Sequence, residues 1–312
     1  MFPHRVERGV AQLEALGYKV KLATHALSSS GFVSDTAENR VSDLHEMFRD
    51  PSVRLVLAAI GGDHSCHLLP LLDFELIRRN PKPLVGYSDI TVLNVAIWKT
   101  TGLVTFNGPA FLTDFAENPV MFEYAKHGFL KAVAQAEAIG RVTPAAQWTE
   151  ESQDWETKAD LERPRELNAS DGWTWLKAGS GEGVLVGGCI ESLQHLRGTP
   201  FWPEWDDAIV FFETSEEKPS PATVDGILMD YENMGVLDKL QGMLVGRPMS
   251  YSDEETAELR EVLLDRTRRY SFPIICDMDF GHTKPQLTIP IGCRARIESR
   301  AQSFEILEPG VS

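Results

Sequence analysis

Cysteine is scarce: four residues in a chain of 312, at Cys66, Cys189, Cys276 and Cys293. They form no CxxC pair, which argues against a disulfide framework and against a zinc site. Reduced, mostly buried thiols in a cytoplasmic protein are expected instead. Basic charge is also in short supply, with 30 Lys and Arg against 46 Asp and Glu, a formal charge of −16. A surface of that sign repels phosphate backbones and anionic lipid, so nucleic acid and membrane are excluded as expected partners. No run approaches the ~18 consecutive apolar residues that span a bilayer. The opening segment Met1-Phe2-Pro3-His4-Arg5-Val6-Glu7-Arg8 has neither the apolar stretch nor the small-residue cleavage site of a secretory signal. His45-Glu46 lacks the second histidine of an HExxH zinc motif.

What is present is ordinary globular composition, 43% hydrophobic and 24% charged, at a length that suits two domains of roughly 150 residues each. In the first part, Val6, Val10, Leu13 and Leu16 recur at helical spacing and stop at Gly17. Tyr18–Leu22 reads as a short strand, and 34–49 as a helix capped by Ser34 or Asp35. Val53–Ile60 reads as a strand apolar on both faces, Cys66–Arg79 as a helix around Pro70, and Pro83–Gly86 as a strand running into a helix at Ile90–Thr100. With a third strand at Val104–Phe106, the alternation predicts an α/β domain over 1–140 built on an open parallel sheet flanked by helices. Residues 141–178 carry Trp148, Trp155, Trp173 and Trp175 in a polar background without period, and read as a Trp-rich connector or flap. Those rings either anchor the flap or offer stacking surfaces to a ligand. Residues 179–312 hold strands near 183–188, 208–212, 242–246 and 274–306 with helices near 222–234 and 253–269, predicting a β-rich, barrel-like C-terminal domain.

The segment Leu84-Val85-Gly86-Tyr87-Ser88-Asp89-Ile90-Thr91 has the logic of a nucleophile elbow: an apolar strand turns through glycine, presents a serine and enters a helix. Ile90 replaces the second glycine of G-x-S-x-G, and Ser88 as a plain N-cap is the alternative. The turn Ile60-Gly61-Gly62-Asp63 ends the preceding strand and would open on the same sheet edge, where paired glycines let N–H groups face an oxyanion. A nucleophilic serine needs a base and an orienting carboxylate. His4, His25, His45, His127 and His195 read as solvated, and His64 and His67 as site-lining or surface. His282 stands out in the Gly- and Pro-framed turn Phe280-Gly281-His282-Thr283-Lys284-Pro285, and Glu213 closes the apolar strand Ile209–Phe212. Gly179-Ser180-Gly181-Glu182-Gly183 is no phosphate loop, since no Lys-Ser/Thr follows and a strand comes next.

Ile60-Gly61-Gly62, Val85-Gly86-Tyr87-Ser88-Asp89-Ile90-Thr91, Phe106-Asn107-Gly108-Pro109, Val186-Gly187-Gly188, Phe212-Glu213 and the run Gly281–Gly292 together resemble the LD-carboxypeptidase family of serine peptidases. The stretch from Trp148 to Trp173 resembles its microcin C immunity branch. The resemblance implies a Ser-Glu-His triad of Ser88 as nucleophile, His282 as general base and Glu213 as its partner. It also implies an oxyanion hole from the Gly62 and Asp89 N–H groups, a homodimer, no metal and no cofactor. Trp148 and Trp155 would bind the nucleotide part of a small peptide or peptidyl-nucleotide substrate. Hydrolysis of an amide or acyl-nucleotide-type bond is the leading expectation; action on murein tetrapeptide and a non-catalytic binding role are the alternatives. An amidotransferase-like domain would need cysteine at the elbow. Three departures from the family pattern stand out. Members open with a strand and a Ser-Pro-Ser-like loop, whereas this sequence begins at the following helix, which predicts a gap in the sheet. Cys189 stands where asparagine is frequent, and Asp63-His64 replaces an uncharged pair beside the proposed oxyanion hole.

Overall fold

The computed structural model describes residues 2–312. Its first part comprises α1 (Pro3–Ala15), α2 (Ala37–Arg49), β1 (Val56–Leu57), α3 (Phe74–Arg79), β2 (Leu84–Val85), α4 (Thr91–Thr101), β3 (Thr105–Asn107) and α5 (Glu123–Ala134). β4 (Gly140–Val142), β5 (Gln147–Trp148), β6 (Asn168–Ala169) and β7 (Thr174–Lys177) follow. The last part holds β8 (Ser180–Cys189), α6 (Ile190–Leu193), β9 (Ala208–Glu213), α7 (Pro221–Asn233), β10 (Leu240–Gly246), α8 (Asp253–Thr267), β11 (Ile274–Met278), β12 (Ile289–Ile291), β13 (Arg294–Glu298) and β14 (Ser303–Ile306).

Two sheets, beside a separate antiparallel pair of β5 and β6, organise these elements into a mixed α/β, two-domain fold. The small sheet has the order β1-β2-β3-β12, parallel through its first three strands, with β12 antiparallel to β3. The large one runs β4-β14-β13-β8-β9-β10-β11-β7, parallel from β8 to β11 and antiparallel elsewhere. It is open, which corrects the barrel-like expectation: β4 and β7, the two ends of the Trp-rich connector, lie at opposite edges and do not pair. The connector therefore contributes both edge strands of this sheet, and the C-terminal part returns β12 to the first domain.

One face of the large sheet shares a core with the small sheet, joining Leu185, Ile209, Phe211 and Leu244 to Val85, Val92 and Phe106. The opposite face packs beneath α7 and α8 through Val224, Leu228, Leu259 and Leu263. α4 lies between the sheets, touching β3 and β8, and is buried from Thr91 to Ile97. Such all-round apolarity is what an internal helix requires. Its one amide, Asn94, donates at 3.0 Å to both Gly86 O and Phe106 O, tying the helix to the strands beneath it.

Several local expectations change. Tyr18–Leu22 forms no strand; it joins no ladder and alternates between exposed and half-buried. The strand at Val53–Ile60 contracts to Val56–Leu57 and is half-exposed, because it is the sheet's edge and no described strand pairs along its outer side. Thr36, rather than Ser34 or Asp35, caps α2 through its hydroxyl. The helix expected over Cys66–Arg79 breaks before Asp73, whose carboxylate caps α3. In α1 the fully buried stripe runs through Arg5, Gly9 and Leu13. Arg5 donates to Leu112 O and to Asp160, which satisfies its charge.

Replacing Asn94 by alanine removes two buried hydrogen bonds, while Gly86 O keeps Gly108 N and Phe106 O keeps Gly86 N. Such a loss is expected to lower unfolding free energy by about 1–3 kcal/mol, read as an earlier urea midpoint; an unchanged midpoint would rule out this role for the amide.

Candidate active site

β2 leaves the sheet through Gly86 and Tyr87, and Ser88 then takes φ +60° before the turn into α4. A left-handed conformation costs a residue with a Cβ roughly 1–2 kcal/mol, so the surrounding structure must impose it. Between Leu84 and Ile97, Ser88 is the one residue that is not buried. Its hydroxyl makes no helix-capping bond, and Tyr87 occupies the cap position. Instead Ser88 Oγ lies 3.1 Å from Nε2 of His282, a residue 194 positions away. His282 Nδ1 lies 2.7 Å from Oε2 of Glu213.

The frame explains this convergence. β8, β9 and β10 are parallel, so their C-terminal ends share one edge, with Glu213 in register with Cys189. Glu213 is fully enclosed there. His282 rides on the segment that crosses from β11 in the large sheet to β12 in the small one. It is the only residue from Phe272 to Ile291 that is not buried. Gly281, at φ +109°, lets this segment pass directly over the carboxylate: a Cβ there would stand 2.9 Å from Glu213 Oε2. Burial alone would push the imidazole down, but Glu213, Glu216 and Tyr87 hold it well above its ordinary value.

Glu216 is a participant that nothing in the sequence indicated. Its Oε2 lies 2.8 Å from His282 Nε2 on a side chain that is 59% exposed. The hydrogen bond with His282 holds its carboxyl down to about 2. Behind the imidazole, Tyr87 packs edge-on at 5.1 Å. Its hydroxyl accepts from the buried ammonium of Lys284, which also pairs with Asp114 at 2.6 Å. Burial opposes the Lys284 charge, but Asp114 and Tyr87 more than compensate and raise its pKa. Lys284 lies within the His282 motif, whereas Asp114 sits in a π-helical segment, Phe111–Phe115, with no local sequence signal.

The Gly61-Gly62 turn meets the elbow. A Cβ on Gly61 would stand 2.7 Å from Ser88 Cβ and 2.8 Å from its Oγ, so only glycine fits. The Gly62 and Asp89 N–H groups donate to no described residue. The Asp89 carboxylate accepts from Ser65 N at 2.7 Å, binding this turn to the elbow. Asp63 is exposed and forms no ion pair with a described residue. Cys189 donates its N–H to Thr91 Oγ1, and its thiol sits 3.4 Å from Glu191. Burial, with Glu213 and Glu191, pushes that thiol well above its ordinary value, so it stays protonated.

The two tryptophans diverge. Trp148 packs 4.5 Å beneath the Arg247 guanidinium at the end of β10. The next residue, Thr149, exchanges two backbone hydrogen bonds of 2.8 Å with Lys284, fixing this part of the connector to the His282 segment. Trp155 packs instead on Phe2 and under Arg5, an anchoring contact with α1. Trp173 is buried and donates to Asp279. His64 and His67 pack against each other with tilted rings, 5.0 Å between centroids. Among the histidines read as solvated, His4 binds Asp160, His25 binds Asp43 and His45 accepts from Asp73 N. No group of three His, Cys, Asp or Glu side chains among the described residues is arranged to hold a metal ion. No helix among them is long and apolar enough to cross a membrane.

An accessible serine from one sheet facing an imidazole and carboxylate held by the other is the plan of a two-domain α/β hydrolase. Residues 1–108 match the LD-carboxypeptidase N-terminal domain and residues 182–297 the LD-carboxypeptidase C-terminal domain. The Microcin C7 self-immunity protein MccF of Escherichia coli is 30% identical over 99% of this chain and 90% of its own. A Bacillus subtilis protein named "Probable murein peptide carboxypeptidase" is 33% identical over 99% of this chain and 89% of its own. The solved structure of MccF in complex with aspartyl sulfamoyl adenosine superposes with a TM-score of 0.91 at 30% identity, covering 100% of this chain and 92% of that one. An MccF-like protein from Bacillus anthracis gives 0.90 at 33%, covering 98% and 92%. The chain belongs to the LD-carboxypeptidase family of serine peptidases and is a serine-type carboxypeptidase or hydrolase.

Gly61→Ala should crowd Ser88 out of line. A displacement of that order costs on the order of 100-fold in rate, measured as the rate at which a fluorophosphonate labels the protein. Labelling as fast as wild type would show that the turn tolerates a side chain.

Proposed function

We propose that this protein hydrolyses the amide bond of a small acidic aminoacyl- or peptidyl-nucleotide through an acyl-enzyme on Ser88. The contact series Ser88–His282–Glu213 carries the reading. Ser88 Oγ attacks the carbonyl carbon while His282 Nε2 takes its proton, and Glu213 holds the Nδ1–H side and offsets the imidazolium charge. The tetrahedral oxyanion faces the free N–H groups of Gly62 and Asp89. Collapse breaks the C–N bond, and Nε2 returns the proton to the departing nitrogen. Water, deprotonated by the same nitrogen, then releases the acid and restores the serine. Trp148, next to the His282 segment, offers a stacking face to a base, whereas Trp155 is taken up by α1. The nucleotide class is supported by a chain-wide likeness to MccF, a protein solved with aspartyl sulfamoyl adenosine.

Cleavage of a murein tetrapeptide at its L,D bond is the second reading, favoured by the 33% identity to the Bacillus subtilis protein. Hydrolysis of aspartyl-sulfamoyl-adenosine, compared with an L,D-tetrapeptide, separates the two. Preference for the peptide overturns the nucleotide assignment, and cleavage of neither leaves a binding protein. Ser88→Ala should lose activity by roughly 1,000-fold or more and abolish fluorophosphonate labelling. The base must be unprotonated to act, so kcat/KM should rise with pH through a midpoint above the ordinary 6.5 of an imidazole. A midpoint at or below 6.5 would contradict the charge balance described around His282.

A further inference from the structure

His282 Nε2 has two partners, and only one belongs to the proposed reaction. Ser88 Oγ stands 3.1 Å away and Glu216 Oε2 2.8 Å, while Nδ1 is engaged by Glu213 at 2.7 Å. A carboxylate hydrogen-bonded to Nδ1 and a second at ion-pair distance from Nε2 both favour the imidazolium, which already carries both protons and cannot accept one from a hydroxyl. Glu216 also stands beside the atom that must hand a proton to the leaving nitrogen, so it and the substrate compete for one place.

The two carboxylates are held differently. Glu213 is sealed at the end of β9, whereas Glu216 lies in the loop between β9 and α7 with most of its side chain in solvent. No other cation among the described residues pairs with Glu216. The loop is fastened on both sides: Ser215 donates twice to Glu191, and Lys218 pairs with Glu255 at 2.8 Å. Rotation of the Glu216 side chain alone is enough to free Nε2. The other groups facing the imidazole stay put: Glu213 backed by Cys189 on β8, and Tyr87 and Ser88 of the elbow backed by the Lys284–Asp114 pair.

We propose that Glu216 is an internal competitor for His282 Nε2, keeping the base charged in the free protein until substrate displaces it. This rests on reading His282 as the base. Glu216 acts through His282 rather than on substrate, so the test is a pH profile. Fluorophosphonate labelling rates of wild type, Glu216→Gln and Glu216→Ala are followed against pH, with Ser88→Ala as blank. Both variants should shift the midpoint down by about one pH unit, which is roughly tenfold faster labelling on the acid side, and should converge with wild type at alkaline pH. An unchanged midpoint, or a loss of labelling uniform across pH, overturns the competitor role while leaving Ser88 as nucleophile intact. Failure of wild type and both variants to label above the blank overturns the hydrolytic reading, and this inference with it.

Discussion

One imidazole held between two sheets is the constraint on which the rest of the structure depends. His282 receives its carboxylate from the end of β9 and faces a serine projected from the end of β2. Neither partner is supplied by its own segment. The sheets must therefore be fixed relative to each other to within a hydrogen-bond length, and several buried features serve that need. α4 lies between them, the Asn94 amide holds it to the small sheet, and Thr91 at its start accepts from the end of β8. Close approach at Gly61 and Gly281 then brings the loops to the distances observed.

Ser88, Glu213 and His282 could each be singled out because each ends or follows an apolar strand in a recognisable turn, and strand ends of parallel sheets collect on one edge. The same logic covered the alternation of strands and helices in the first domain. It failed where the outcome depended on neighbours. Tyr18–Leu22 has strand-like residues but nothing to pair with, and Val53–Ile60 has an apolar run but an edge position. The supposed barrel is an open sheet because its edge strands come from the connector, a stretch whose own sequence carried no period. Glu216 and Asp114 were invisible for a related reason: what either carboxylate touches is set by the path of another loop.

The connector has two characters. Its ends are sheet strands, its Trp155 and Asp160 are pinned to α1, and its Thr149 is bonded to Lys284 beside the imidazole. A segment so tied is a fixed strap beside His282 rather than a free lid, and the tryptophan next to that bridge inherits a fixed position from it.

The return of β12 to the first sheet has a consequence for biosynthesis. While the chain is being made, the small sheet lacks its fourth strand, and the imidazole preceding that strand has not yet emerged from the ribosome. The serine elbow can be in place early, but His282 does not face it until residues 289–291 dock beside β3. Under the proposed mechanism, a nascent or truncated polypeptide would be hydrolytically silent, and competence would arrive only with nearly the entire chain.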